Sequence, residues 1–392
     1  MILLRSFLLP ILLLALVRPT VAAEPITIGE INPRSGVLAV QGTAVHQGIV
    51  LAVEEANSQG GIAGRPINLL SRDDEGRPER AIAAAEELVF RHRAVALIGG
   101  YVDSLAGPIS EVADRSRIPY LATASLDERL THRGNRFFFR MSSLASYVTA
   151  TTGIILEVFH AKNVAILYSS TPGASQLARR QKEVLERAGL KVAVFEPFAP
   201  GLSDFTPLLA RVRDQGAEVL LSDTFFADHL LLIRQMAQAR VTLKAFLGAF
   251  GMEFPNVIKD LGPASEGLYG TTSWQPGVNL GGNAKESQAF IEAFKQRFGG
   301  EPAPLTMHGY AAAKTLGKAL SAVAASGKAI SGETLRDALA QADVQTPLGR
   351  VKFDERGDPL FYERVVIQIQ DGRYVVVYPK DHATAPARYP AQ

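Results

Sequence analysis

The chain has 392 residues, 47% of them hydrophobic, with 41 Lys and Arg set against 39 Asp and Glu and no cysteine. The basic residues are scattered, which excludes the clustered basic face that nucleic-acid binding needs. The lack of cysteine excludes a disulfide framework, a thiolate metal site and a lipid-acceptor thiol.

Met1–Arg5 carries one positive charge, Phe7–Val17 is an apolar run, and Val21-Ala22-Ala23 offers small residues ahead of Glu24. That is the pattern of an export signal, residues 1–23, cleaved after Ala23. The run is shorter than the roughly 20 residues a bilayer span needs, and no later segment reads as a membrane span. Export leaves 392 − 23 = 369 residues, a length that suits two domains of about 100–200 residues each.

Short apolar runs then recur. Ile26–Ile31, Ile67–Leu70, Val95–Ile98 and Pro119–Leu121 are expected as strands, as are Val164–Tyr168, Leu190–Phe195, Val219–Leu221 and Ala245–Leu247. Runs this brief and apolar throughout suit parallel strands covered by helices on both faces. Between them lie helical periods: Val45, Ile49, Ala52, Val53 and Ala56; then Phe205, Leu208, Leu209 and Val212 behind Asp204; then Phe290, Phe294 and Phe298. These stripes read as helix-on-sheet packing.

Alternation of strand and helix over 24–144 and again over 145–270 predicts doubly wound parallel sheets with right-handed crossovers. Helices follow at 284–298, 308–326 and 331–341. A strand pair is expected at 349–354 and 362–378, turning at Asp354–Pro359, and 380–392 reads as a tail without a core pattern.

No catalytic motif is present. Ser326-Gly327-Lys328 lacks P-loop spacing, and Gly-x-Gly-x-x-Gly and Gly-x-Ser-x-Gly are missing. The seven histidines never pair at i, i+4. No catalytic residue, metal or cofactor is therefore expected. Binding has more support. Gly99-Gly100-Tyr101-Val102-Asp103-Ser104 follows a strand and opens a helix, where glycines allow close approach and free N–H groups can hold an anionic oxygen. Asp103 and Ser104 serve equally well as helix caps. Ala122-Thr123-Ala124-Ser125 ends the next strand with more hydroxyls and amides.

These residues resemble the periplasmic solute-binding proteins of the leucine/isoleucine/valine type, the receptors of ABC importers, from about Ile26 to Pro379. The marks are Ile26-Thr27-Ile28-Gly29, Pro33, Gly36, Gly48 through Asp74, Ile98-Gly99-Gly100 with Ser104, Leu130-Thr131 and Arg140. Pro200-Gly201 with Asp204-Phe205, Gly309-Tyr310, and Phe353-Asp354 with Gly357-Asp358 complete the set. The resemblance implies a type I periplasmic-binding fold, with two doubly wound α/β lobes joined by three crossovers near 144, 274 and 352. The first lobe would hold 24–144 plus 275–352, and the second 145–274 plus 353–379. It also implies a soluble periplasmic receptor whose partners are a small solute and a membrane permease. A signalling co-receptor and, from Ser104 with a distant histidine, a secreted hydrolase are the alternatives.

In such receptors, hydroxyls and amides near Asp103–Ser104 and Ala124–Leu126 would hold a ligand carboxylate, and an acid of the second lobe its ammonium. Here Phe250 stands at that acid's place, Leu126 at a threonine, Ala145 at an aspartate and Pro172 at a tyrosine. A buried ammonium without a partner loses several kcal/mol, so Asp103, Asp223, Asp228 or Glu253 would have to substitute. The expected contacts are Gln41, Tyr101, Val102, Asp103, Ser104, Ala124, Ser125, Tyr168, Phe225, Phe250 and Trp274, lining an aromatic cleft. The solute would be a branched-chain amino acid or an apolar or aromatic carboxylate or amide.

Overall fold

The structure, a computed structural model, describes residues 24–278 and 280–390. The export segment, 1–23, lies outside the described residues. β1 (Ile26–Asn32), β2 (Ile67–Asp73), β3 (Ala96–Gly99), β4 (Tyr120–Ala122) and β5 (Phe138–Arg140) make a parallel sheet in the order β2-β1-β3-β4-β5. β6 (Asn163–Ser169), β7 (Lys191–Phe198), β8 (Val219–Asp223), β9 (Ala245–Gly248) and β10 (Tyr269–Thr272) repeat that winding as β7-β6-β8-β9-β10. Every residue of β3, β4, β8 and β9 is buried, as helix cover on both faces requires.

β5 and β10 carry no four-residue apolar run. Phe-Phe-Arg ends on a cation, and Tyr-Gly-Thr-Thr is half polar. Partners on both sides make up the difference in β10, where the Thr271 and Thr272 hydroxyls donate to Ala249 O and Trp274 O at 3.0 and 2.6 Å.

The chain ends differently from the expected strand pair. β11 (Asp343–Thr346) and β12 (Gly349–Lys352) form their own antiparallel hairpin. The run 362–378 folds back on itself as β13 (Val365–Gln370) and β14 (Arg373–Tyr378), which extend the second sheet antiparallel to β10. Asp371 and Gly372, both at positive φ, supply the tight primed turn that a two-residue hairpin needs. The segment Asp354–Pro359 instead packs on β5: Gly357 O accepts Arg140 N at 3.0 Å, and Asp358 accepts both the buried Arg140 guanidinium and Thr131 Oγ1. This contact joins Thr131, Arg140 and Gly357-Asp358, which lie far apart in the chain.

The expected featureless tail is also ordered against the second sheet. Tyr269 Oη and Gln368 Nε2 donate to Arg388 O, Gln370 Nε2 donates to Pro386 O, and Tyr389 stacks on Phe159 at 4.5 Å. Polar bonds and one ring hold it, so no hydrophobic period announces it.

The helix Gly36–Ser58 is long and apolar enough to cross a membrane by composition, contrary to the sequence reading. It is a core helix. A Cβ on Gly48 would lie 1.9 Å from Thr306 O, and one on Gly309 2.2 Å from Val45 O. The helices Ala39–Ser58 and Pro304–Ala325 therefore meet backbone to backbone, a distance only glycine permits.

The chain passes between the sheets three times: at 141–143, after β10 at 273–283, and after β12 at 353–364. The helices 284–298, 304–325 and 332–340 lie between the second and third passages.

Candidate functional site

Where two parallel neighbours send their connections to opposite faces, a crevice opens at their carboxyl ends. In these sheets that happens between β1 and β3 and between β6 and β8. Segments leaving both sheets at this level converge on one narrow cavity of about 30 Å³. From the first sheet come Tyr101, Val102 and Asp103 after β3, Ala124 and Leu126 after β4, and Ser142 after β5, with Leu305 from the helix Pro304–Ala325. The second contributes Thr171 and Ala174 after β6, Phe225 after β8, and Phe250 and Glu253 after β9, while Tyr147 comes from the helix Leu144–Ile154. A roomier groove, about 210 Å³, lies between the helices Ala39–Ser58 and Pro304–Ala325, away from the crevice between the sheets.

Four rings form the apolar part of the wall. Tyr101 meets Phe225 edge-on across the lobes at 5.9 Å, Phe225 stacks on Phe250 at 6.0 Å, and Tyr147 meets Phe250 edge-on at 5.2 Å. Each such pair contributes about 0.5–1.5 kcal/mol beyond its buried area, so the Tyr101–Phe225 pair favours the closed arrangement. Gln176 adds a polar bridge at the rim: its Oε1 accepts Glu128 N at 3.1 Å and its Nε2 donates to Asp127 Oδ1 at 2.5 Å.

Asp103 begins its helix and is 7% exposed. Its Oδ1 accepts Ser125 Oγ, Leu126 N and Asp127 N at 2.6, 2.7 and 2.8 Å. Burial raises its pKa, and those three bonds oppose the rise. Glu253 is 4% exposed, and its Oε2 has no hydrogen-bond partner among the described residues. Burial pushes its carboxyl up to about 7, against the pull of Arg364.

Behind the wall, a polar network touches the second and third passages. Arg364 stacks its guanidinium 3.8 Å from the centre of the Tyr147 ring. Its Nε and Nη2 donate to Thr271 Oγ1 and O at 3.1 and 2.8 Å, and its Nη1 to Tyr362 Oη at 2.9 Å. His308 Nδ1 donates to Thr123 O at 3.3 Å, so Nε2 accepts, taking the Ser273 hydroxyl at 2.7 Å. Burial pushes His308 down to about 4, which matches this neutral form.

Of the expected contacts, Tyr101, Val102, Asp103, Ala124, Phe225 and Phe250 lie on the wall. Ser125 stands behind it as a donor to Asp103. The others are elsewhere. Ser104 is half-buried one residue along its helix. Tyr168 packs on Phe195 at 4.7 Å. Trp274 donates Nε1 to Ser287 Oγ at 2.9 Å and meets Phe290 edge-on, deep in the core. Gln41 is buried off the wall with its amide unpartnered. Among the alternative acids, only Asp103 and Glu253 reach the cavity. Asp228 is tied to Thr224 Oγ1 and Gly201 N. Tyr147, Ser142, Thr171, Ala174 and Leu305 were not among the sequence candidates. The first four sit in or just past strand ends or passages, and that position is their signal; Leu305 opens the helix Pro304–Ala325 and carries none.

Asp223 is fully buried, with Gln181 Nε2 3.2 Å from its Oδ1. Burial pushes it up to about 8 from an unfolded value near 4. The folded chain then keeps a proton that the unfolded chain releases, so this residue's stability contribution is full below pH ~4 and is lost as pH rises toward 8. Asp223→Asn removes that loss. Denaturant titrations should show it more stable than the parent at pH 8, by a margin that shrinks toward pH 5; an equal margin at both values refutes the assignment.

Two wound α/β lobes meeting over a cavity walled by both define a hinged ligand-binding protein. The sequence profile described as "Periplasmic binding protein" matches residues 25–373, and the chain belongs to that family. It is 29% identical over 360 residues to an amino acid binding protein of Pseudomonas aeruginosa, covering 91% of this chain and 93% of that one. It is also 27% identical to the leucine-, isoleucine-, valine-, threonine- and alanine-binding protein of the same organism, with 86% and 88% covered. The fold is shared with a branched-chain amino acid transporter substrate binding protein from Streptococcus pneumoniae in complex with isoleucine (TM-score 0.81, 19% identity, 91% and 100% covered). An ABC transporter solute binding protein from R. palustris in complex with benzoate shares it too (TM-score 0.80, 21% identity, 93% and 97% covered).

Proposed function

We propose that this chain is the exported solute receptor of an ABC importer. It captures a small organic molecule in the cavity between lobe 24–144 plus 275–352 and lobe 145–274 plus 353–379. The observation that carries this reading is the cavity itself: Tyr101, Val102 and Asp103 from one sheet face Phe225, Phe250 and Glu253 from the other. A guest touching both sides has more contacts when the lobes are shut, so binding shifts the population toward the closed form, which the membrane permease then recognises. The relatives named for amino acids and the neighbour that holds benzoate support a ligand of that size.

No bond-making step is assigned. Ser104 is off the wall, and the buried His229 and His308 are engaged with Ser222 O and with Thr123 O and Ser273. A thermal-shift and calorimetric screen of leucine, valine, benzoate, benzamide and simple amines tests the reading. A true solute at 100 times its Kd stabilises the fold by about 2.7 kcal/mol. If no compound moves the melting point or gives heat, the receptor reading falls.

A further inference from the structure

Both charged side chains on the cavity wall are carboxylates, Asp103 from one lobe and Glu253 from the other. Past β4 there is a ready cradle for an anion, in which Leu126 N, Asp127 N and Ser125 Oγ point to one spot. That spot is filled, because all three donate to Asp103 Oδ1. A guest carboxylate would have to displace a carboxylate tethered to the chain, whose effective concentration no free solute matches.

Opposite, Glu253 Oε2 is buried without a donor. Arg364 does not provide one, since its Nη2 stands 4.0 Å from Oε1 while its nitrogens serve Thr271 and Tyr362. A buried, unpaired carboxylate oxygen is costly until a donor arrives. The rings of Tyr101, Tyr147, Phe225 and Phe250 share the cavity wall with it, and aromatic faces attract cations.

Building on the receptor reading, we propose that the solute is an organic ammonium ion with an apolar body and no carboxylate, its N–H directed to Glu253 Oε2 and its body among the four rings. At about 30 Å³ the closed cavity is too tight for the body, so the lobes part to admit it and the rings re-form around it.

Calorimetry with benzylamine and 3-methylbutylamine, against benzoate, leucine and benzamide, tests this on the full mature chain. The amines should bind at least tenfold tighter than benzoate or leucine. Glu253→Gln should weaken the amines by roughly 10- to 100-fold, more than it weakens benzamide, with a melting temperature no lower than the parent's. Asp103→Ser should empty the cradle and confer binding of benzoate or leucine. Benzoate or leucine binding the parent as tightly as the amines overturns the inference alone and leaves the receptor reading intact. So does an amine affinity that Glu253→Gln leaves within threefold. Failure of every compound removes both.

Discussion

Alanine at Gly173 is expected to weaken solute binding by roughly 10- to 100-fold while the unliganded chain melts within a few degrees of the parent. Gly173 is the second residue of the helix Pro172–Arg187, on the second-sheet side of the cavity. Its missing Cβ would stand 1.9 Å from Asp103 Oδ2 and 3.0 Å from Leu126 Cβ, both on the opposite side. A long side chain could swing away, but Asp103 is pinned by three donors. Overpacking of this kind costs typically about 1–3 kcal/mol, and each 1.4 kcal/mol is tenfold in affinity. The three nearest atoms all belong to the opposite side, so the cost falls on the closed form. Small-angle scattering should show the variant staying expanded when the solute from the screen is added. Compaction and affinity equal to the parent would refute the contact.

Removing Arg364 is the second large effect. Arg364→Ala should cost about 3–5 kcal/mol, the usual result of deleting one partner of a buried charged group. The loss has several parts: Thr271 O and Tyr362 Oη lose their donors, the Tyr147 ring loses its cation, and Glu253 loses the opposing charge of Arg364. Lysine should not rescue, because an ammonium cannot stack flat on a ring and donate in three directions. Adding Glu253→Gln to Arg364→Ala should recover part of the loss by removing the stranded charge. Urea denaturation measures all three. A single-variant loss under 1 kcal/mol would mean the network is not structural.

Most of the fold was legible in the sequence because buried parallel strands leave an unbroken apolar run, as at Val95–Ile98 and Val219–Leu221. It was illegible where tertiary partners replaced hydrophobicity: β5, β10 and the ordered segment 380–390. The turn signal at Asp354–Pro359 was real but belonged to a loop folded on Arg140, whereas the working hairpin turn was the less conspicuous Asp371-Gly372. The site divides the same way. Position after a strand end located Tyr101, Asp103, Phe225 and Phe250, since the chain leaves a wound sheet there. Position could not say which way a side chain turns, so Tyr168 and Trp274, equally close to strand ends, face Phe195 and Phe290 instead. Nor could spacing choose among Asp103, Asp223, Asp228 and Glu253, of which Asp103 and Glu253 reach the cavity.

The three passages between the sheets, two of them tied to each other through Arg364, Tyr362, His308 and Ser273, have an energetic consequence for capture. Halves joined by one flexible tether would wander, and shutting them on a guest would sacrifice that freedom. Three links confine the halves more narrowly than one would before any guest arrives. Most of the ordering entropy is thus spent when the chain folds, and a guest of a dozen heavy atoms, making few contacts, can still tip the balance to the shut form.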